Sequence, residues 1–518
     1  MRKIFLTLAA FILIVLAVFF IVQISQENKA PLPKNDVVLA NGARLIWQDC
    51  WFEAPKHVDC ANLHTAPEKK GQTSSFALPV VVMRYQGFDR KNDPIVYMAG
   101  GPGSGAGLEE EQINGYWLTW FKDAGFHRDL ILFDQRGTGL SKPKLKCPEY
   151  HLAIRDSFIH DTPSSEKNNK TRIALQGCYQ TMKKANVPVD EVSTLHSAAD
   201  VNDLMETLNY PTWNLQGVSY STRLAIVIER KYPGRVRSMV LDSVYPIQKH
   251  FYKEWPELLD SSLKKIFSFC DHQATCKREF GNIETKFWET MEALKKEPLK
   301  VNATGPHLVL KDVIFDDETL LDFLFDIQYE SGSLYDIPAI IDAFHRRDSE
   351  PLKVYINDFL QSRLQGSVSE IVFRVIECKD NPSIDPAEMT KIYEKYPKLL
   401  PYLSTEYDAC DIWDNKGEAV DIKKLTEVSD IPVLILAGED DPVTPIGWVD
   451  DILEQYPNSQ FFSFPNISHS VMDRKSCGVQ LFSRFVNDPT TRPTADCRDY
   501  SSSDKNNTTP PNSIDDSN

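Results

Sequence analysis

The stretch "NLQGVSYSTRLA", residues 214–225, decides how this chain is read. It comes within one residue of G-x-S-x-G, the turn that presents a nucleophilic serine between a strand and a helix. Gly217, Val218, Ser219 and Tyr220 fit, and Ser221 stands where the second glycine would be. The flanks of such a turn must be small because the following helix packs tightly against neighbouring strands. Serine adds only a hydroxymethyl group, which is tolerable where the backbone φ is negative. "WNLQ" reads as the strand, and "TRLAIVIERKYP" as a helix that ends at Pro233. Ser219 is therefore a candidate nucleophile, although G-x-S alone also recurs in ordinary turns.

Working outward, short apolar runs recur on both sides of this turn. "LPVVVMRY" (78–85), "DPIVYMAG" (93–100), "DLILFD" (129–134), "SMVLDS" (238–243), "PVLILAG" (432–438) and "SQFFSF" (459–464) read as strands covered on both faces. In "STLHSAADVNDLMETLNYP", Val201, Leu204, Met205 and Leu208 fall on one helix face, and Pro211 stops the helix. Strands alternating with helices imply an α/β fold with a mostly parallel sheet. From about 247 to 425 the texture changes. "EWPELLDSSLKKIFSFC", "IETKFWETMEALKKEP" and "EMTKIYEKYPKLLPYL" are amphipathic and helical, and strand signals nearly vanish until "PVLILAG". A helical cap inserted into one α/β domain is the economical reading.

An acid and a histidine follow Ser219 in the order that α/β-hydrolases use. "LILAGEDDPVTP" places acids directly after an apolar strand, and "FFSFPNISHS" places His469 in a loop after the next one. The histidine takes the serine's proton, and the acid holds the other ring nitrogen and stabilises the imidazolium. The spacing divides the acid between Asp440 and Asp441, with Glu439 just before them and Asp242, at the end of the strand after the elbow helix, as a third choice. An oxyanion hole needs two backbone N–H donors. Tyr220, after the nucleophile, supplies one. The glycines of "IVYMAGGPGSGAG" let a second backbone approach closely, with Gly101 first and Gly100 next. That loop lacks G-K-[ST], so no nucleotide site, and no other cofactor, is expected.

Composition limits the partners. The chain has 518 residues, 57 basic and 73 acidic, for a net charge of −16, with no basic run. Nucleic acid is not an expected partner, because phosphate binding needs clustered Lys and Arg. Arg2 and Lys3 precede an apolar stretch, Ile4–Val22, of about 19 residues. That is nearer the ~20 residues of a membrane span than the ~7–15 of a signal-peptide core. No good cleavage site follows. The reading is an uncleaved anchor with the body in the periplasm or exterior, and the alternative is secretion after signal cleavage. Ten cysteines, Cys50, Cys60, Cys147, Cys178, Cys270, Cys276, Cys378, Cys410, Cys477 and Cys497, fit an exported, disulfide-bonded chain. No C-x-x-C pair occurs, and no metal is expected.

In order, "AGGPGSG" (99–105), "FDQRGTGLS" (133–141), "GVSY" (217–220), "GEDDPVTP" (438–445) and His469 resemble the proline iminopeptidase and tripeptidyl aminopeptidase group of α/β-hydrolases. "SCGVQLFSRFVNDPTTRPTADC" is similar to the C-terminal segment of the secreted tripeptidyl-aminopeptidase-like branch. The resemblance spans roughly residues 40–498. It implies an α/β-hydrolase fold and a triad of Ser219, Asp441 and His469. It also implies the disulfides Cys50–Cys60, Cys147–Cys178, Cys270–Cys276, Cys378–Cys410 and Cys477–Cys497. Two departures are Ser221 for the usual glycine and Ala99 where many relatives carry histidine. Arg136 of "DQRG" is read as structural, paired with a buried acid.

The expected organisation is an anchor or signal peptide at 1–25, a linker at 26–39, hydrolase core at 40–246, helical cap at 247–425, core again at 426–498 and a disordered tail at 499–518. The expected function is a serine exopeptidase acting on peptides with a free N-terminus. An esterase with the same triad is the alternative within enzymes, and a non-catalytic binding or adhesion module the alternative outside them. An aminopeptidase needs a carboxylate for the substrate ammonium. Glu377, Asp380, Glu330 and the run "LEEEQ" (108–112) are the candidates.

Overall fold

The computed structural model describes residues 35–67, 75–305, 308–366, 368–381, 384–403, 407–413, 426–472 and 477–494. The apolar stretch Ile4–Val22 and the tail from 499 lie outside them. Among the described residues, no helix is long and apolar enough to cross a membrane.

Among the described residues, twelve strands form two sheets. In chain order they are β1 (Val37–Val38), β2 (Arg44–Gln48), β3 (Val58–His64), β4 (Ala77–Met83), β5 (Ile95–Met98), β6 (Leu130–Phe133), β7 (Trp213–Val218), β8 (Val236–Asp242), β9 (Leu299–Gly305), β10 (Leu308–Phe315), β11 (Val433–Gly438) and β12 (Ser459–Phe464). The ten-stranded sheet runs β1-β2-β3-β4-β6-β5-β7-β8-β11-β12. From β6 through β12 every neighbouring pair is parallel, and β1 to β4 add an antiparallel flank. All six apolar runs became strands. Their continuous apolarity has a physical cause. Alternate residues of β11, Val433 and Ile435 against Leu434 and Leu436, enter different buried clusters on the two faces of the sheet. On one face lie helices Thr194–Thr207 and Tyr220–Lys231, and on the other Leu118–Ala124 and Cys477–Asn487.

Between β8 and β11 the chain is mostly helical, with a third buried cluster of its own that includes Phe267, Phe287, Phe315, Phe323, Phe344 and Phe359. Two features depart from the sequence reading. β9 and β10 form an antiparallel hairpin inside this region, where strand signals had nearly vanished. Helix Pro148–Ile159, which precedes the elbow in the chain, buries Phe158 in the same cluster.

Four disulfides join pairs of described cysteines, Cys50–Cys60, Cys147–Cys178, Cys270–Cys276 and Cys378–Cys410. Cys477 is also disulfide-bonded, and Cys497 lies outside the described residues. Peptide mapping without reductant should recover these local pairs together with Cys477–Cys497. The pairs separated by 31 and 32 residues close the longest loops of the four. Breaking either should cost the most stability, about 3–4 kcal/mol on the loop-entropy account. Free thiols throughout would contradict both the pairing and an oxidising compartment.

Candidate active site

Ser219 sits between β7 and helix Tyr220–Lys231 at φ 57°, ψ −125°. A non-glycine residue at positive φ is costly, and a sharp strand-to-helix elbow is one place where it persists. The neighbourhood enforces it. A Cβ on Gly217 would lie 2.5 Å from the carbonyl oxygen of Ser221, so only glycine fits there. Ser219 N–H donates to the backbone oxygen of Asp242 (3.0 Å), and its own carbonyl accepts from Thr222 Oγ1 (2.7 Å).

Ser221 is accommodated by hydrogen bonding. Its buried hydroxyl accepts from Val218 N–H (2.8 Å) and donates to the Met98 carbonyl (2.6 Å). It thereby ties the elbow to the end of β5, where the glycine-rich loop begins. A Cβ on Gly100 would lie 3.2 Å from Ser219 Cβ and 2.8 Å from the Val218 carbonyl oxygen, which places this loop against the elbow. Gly101 follows at φ 107°. The "DQRG" motif braces the same loop. Gln135 Nε2 donates to the Ala99 carbonyl (2.9 Å), and buried Asp134 accepts from the N–H groups of Ala106 (2.7 Å) and Leu140 (2.6 Å). Burial pushes the Asp134 carboxyl up to about 6, against the pull of those two N–H groups. Arg136 makes a bidentate pair with Asp200, both contacts 2.7 Å, which is the structural pairing expected for it.

His469 Nδ1 lies 2.9 Å from Asp441 Oδ2. The Asp441 side chain is fully buried and His469 is 13% exposed. Asp441 Oδ1 accepts from Val443 and Thr444 N–H (2.9 Å each), and Oδ2 also accepts from Thr444 Oγ1 (2.6 Å). Burial alone would raise its pKa, but His469 and these donors hold it below the ordinary range. Burial alone would lower that of His469, but the carboxylates of Asp441 and Asp242 hold the imidazole above its ordinary value. With Nδ1–H donating to Asp441, the basic lone pair is on Nε2.

The rival acids are engaged elsewhere. Asp440 pairs with Lys265 (2.9 Å), and Glu439 accepts from Ser463 Oγ (2.9 Å). Asp242 accepts from the N–H groups of Val471 and Met472, just past His469. Sequence reasoning missed Thr444 and the bracing role of Asp134 and Gln135, although both lie inside motifs it quoted.

Residues 93–269 match the α/β hydrolase fold family, and residues 396–497 match a family described as TAP-like protein. Ser219 lies in the first match, Asp441 and His469 in the second. The chain has the α/β-hydrolase fold. Its relatives include tripeptidyl aminopeptidase of Streptomyces lividans, 22% identical over 450 residues that cover 82% of this chain and 81% of that protein. Over shorter stretches it is similar to a proline iminopeptidase of Arabidopsis thaliana (24% over 156 residues, 30% of this chain and 28% of that one). It is likewise similar to the serine protease Hip1 of Mycobacterium tuberculosis (26% over 171 residues, 32% and 31%). A crystal structure of a Mycobacterium smegmatis proline iminopeptidase is 13% identical, with 80% of this chain and 96% of that one covered. The TM-score, 0.37, is too low to bear on function.

Two of the candidate ammonium acceptors, Glu377 and Asp380, already share the charge of Arg223. Glu377 is 1% exposed and accepts from Asn381 Nδ2 (2.7 Å) and Tyr245 Oη (3.2 Å). Asp380 lies 3.9 Å from Arg223 and accepts from Thr194 Oγ1 (2.6 Å). Burial pushes the Glu377 carboxyl up to about 7 despite the nearby Arg223. Glu330 is exposed and follows Tyr329, whose ring stands edge-on to the His469 ring at 5.3 Å. The acids of "LEEEQ" are exposed. Among the described residues, the grouping with metal-ligand proximity is Cys147, Glu149 and Cys178. Both of its sulfurs are taken up in a disulfide.

Proposed function

We propose that the hydrolase is a serine exopeptidase that removes short units from the N-termini of peptides. Ser219 Oγ attacks the scissile carbonyl carbon while His469 Nε2 takes its proton. The oxyanion that forms is held by the backbone N–H groups of Gly101 and Tyr220. Tyr220 opens its helix, where N–H groups have no partner within the helix. Collapse of the intermediate breaks the C–N bond, and the imidazolium returns the proton to the departing amine. Water, deprotonated by His469, then releases the acyl group from Ser219. Asp441 fixes the ring and stabilises its charge throughout.

The observation that carries this reading is the buried His469–Asp441 pair, in a chain whose strained serine elbow abuts a braced glycine loop. The relatives named peptidases support the peptide substrate. The disulfides support export, and we further propose that Ile4–Val22 anchors the protein with its body outside the cytoplasm. An intact Ser219, Asp441 and His469 speaks against a non-catalytic module.

The substrate's free ammonium separates exopeptidase from esterase. Peptidyl amides with a free N-terminus should be cleaved, and their N-acetylated forms should lose roughly 10- to 150-fold in kcat/KM. That corresponds to one charge-assisted hydrogen bond of about 1.5–3 kcal/mol. Equal rates on both forms would defeat the exopeptidase reading. Brisk turnover of longer esters with no peptide cleavage would establish the esterase.

A further inference from the structure

The loop that carries His469 is held from below by a residue that no triad role explains. Asp242 ends β8, the strand beside the elbow strand β7. Its carboxylate is fully buried, and Val471 N–H lies 2.9 Å from each of its oxygens, with Met472 N–H 3.0 Å from Oδ2. The next residue continues the clamp, since Ser243 Oγ accepts from Ser470 N–H at 2.9 Å. Ser243 and Ser470 both have positive φ, 57° and 69°. Such backbone persists only where its surroundings over-determine it. On its other side, the Asp242 backbone oxygen accepts the N–H of Ser219 itself. One residue thus grips the elbow through its main chain and the histidine loop through its side chain.

We infer that Asp242 is a positioning residue that sets His469 against Ser219 and adds a second negative charge beneath the imidazole. This rests on reading Ser219 as nucleophile and His469 as base. It differs from the role of Asp441, which touches the ring directly. A neutral side chain could keep part of the loop's hydrogen bonding, but it would not supply the charge. The ionisable groups that interact with Asp242 are His469, Asp441 and Tyr97. Burial pushes the Asp242 carboxyl up to about 6, while His469 is held above its ordinary 6.5. Asp242 is thus one of the two carboxylates whose charge holds the imidazole above its ordinary value.

The test is the rate at which a fluorophosphonate labels Ser219, measured against probe concentration and pH. It needs no knowledge of the substrate. In Asp242→Asn the maximal labelling rate should fall roughly 10- to 100-fold, as a displaced catalytic group does, with half-saturation unchanged. The acid limb of its pH profile should move to lower pH, because a negative charge beside His469 has gone. A purely structural residue would leave that limb in place. Ser243→Ala removes the Ser470 acceptor and a 3.3 Å hydrogen bond to Asp242 Oδ1, and should slow labelling about 2- to 10-fold on a folded protein. It decides the matter if Asp242→Asn does not fold. Wild-type rates and an unmoved acid limb in folded Asp242→Asn, or wild-type rates in Ser243→Ala where that variant must decide, overturn the inference. A parent protein that takes no label at Ser219 overturns the nucleophile reading, and this inference with it.

Discussion

Ser219→Ala is expected to lower turnover by several orders of magnitude, up to about 10⁶-fold, while circular dichroism and thermal melting stay close to wild type. The fold should survive because the change removes one oxygen from a half-buried position. The hydrogen bonds that shape the elbow use other groups, namely the Ser219 backbone, Thr222 Oγ1 and Ser221 Oγ. Alanine suffers the same positive φ as serine, so backbone strain does not change sides. What disappears is the atom proposed to form the acyl-enzyme. Residual hydrolysis would come from binding and the oxyanion donors alone. A fluorophosphonate should label the parent protein at Ser219 and leave the variant unlabelled. Undiminished activity in the variant would remove Ser219 from the mechanism and return the elbow to an ordinary turn.

Much of this candidate site could be proposed from the sequence because its signals are local. The elbow, the glycine loop and "GEDDPVTP" each declare themselves within a dozen residues, and each sits at the end of a stretch that reads as a strand and is a parallel strand in the fold. Physical chemistry hid the rest in two ways. Strands with one solvated face lack a continuous apolar run. In β9, Val301 and Ala303 are buried while Asn302 and Thr304 are exposed, so the hairpin was lost among amphipathic helices. Helix Pro148–Ile159 buries only Phe158, which leaves little periodicity to see. The second way is distance along the chain. The Asp242 carboxylate meets Val471 N–H across 229 residues, and Ser221 Oγ meets the Met98 carbonyl across 123. Each is a side chain recognising backbone, and no pattern of residue types encodes that. Asp242 thus read as a third-choice triad acid, and Ser221 as a mere departure from a motif.

Asp441→Asn is expected to lower kcat on the order of 10⁴-fold, and Asp440→Asn to leave it within a few-fold of wild type. The contrast follows from which oxygens are occupied. Asp441 Oδ1 accepts two backbone N–H groups, and Oδ2 faces Thr444 Oγ1 and His469 Nδ1. An asparagine must keep its carbonyl oxygen towards the two N–H donors, since a flipped amide would set NH₂ against them. Its NH₂ then points at His469 Nδ1 and forces that nitrogen to accept. The ring proton moves to Nε2, which can no longer take a proton from Ser219. Asp440 makes a partly exposed ion pair with Lys265, and pairs of that kind contribute about 0–1 kcal/mol. The pH profile gives a second reading of the same geometry. Activity in the parent enzyme should fall as pH drops through the pKa of His469, which Asp441 and Asp242 hold above its ordinary value. In Asp441→Asn one of those charges is gone, so the acid limb of the residual activity should lie at lower pH. Should Asp440→Asn prove the severe variant and Asp441→Asn the mild one, the acid has been assigned one residue too late, and the buried His469–Asp441 contact is not the pair that drives the chemistry.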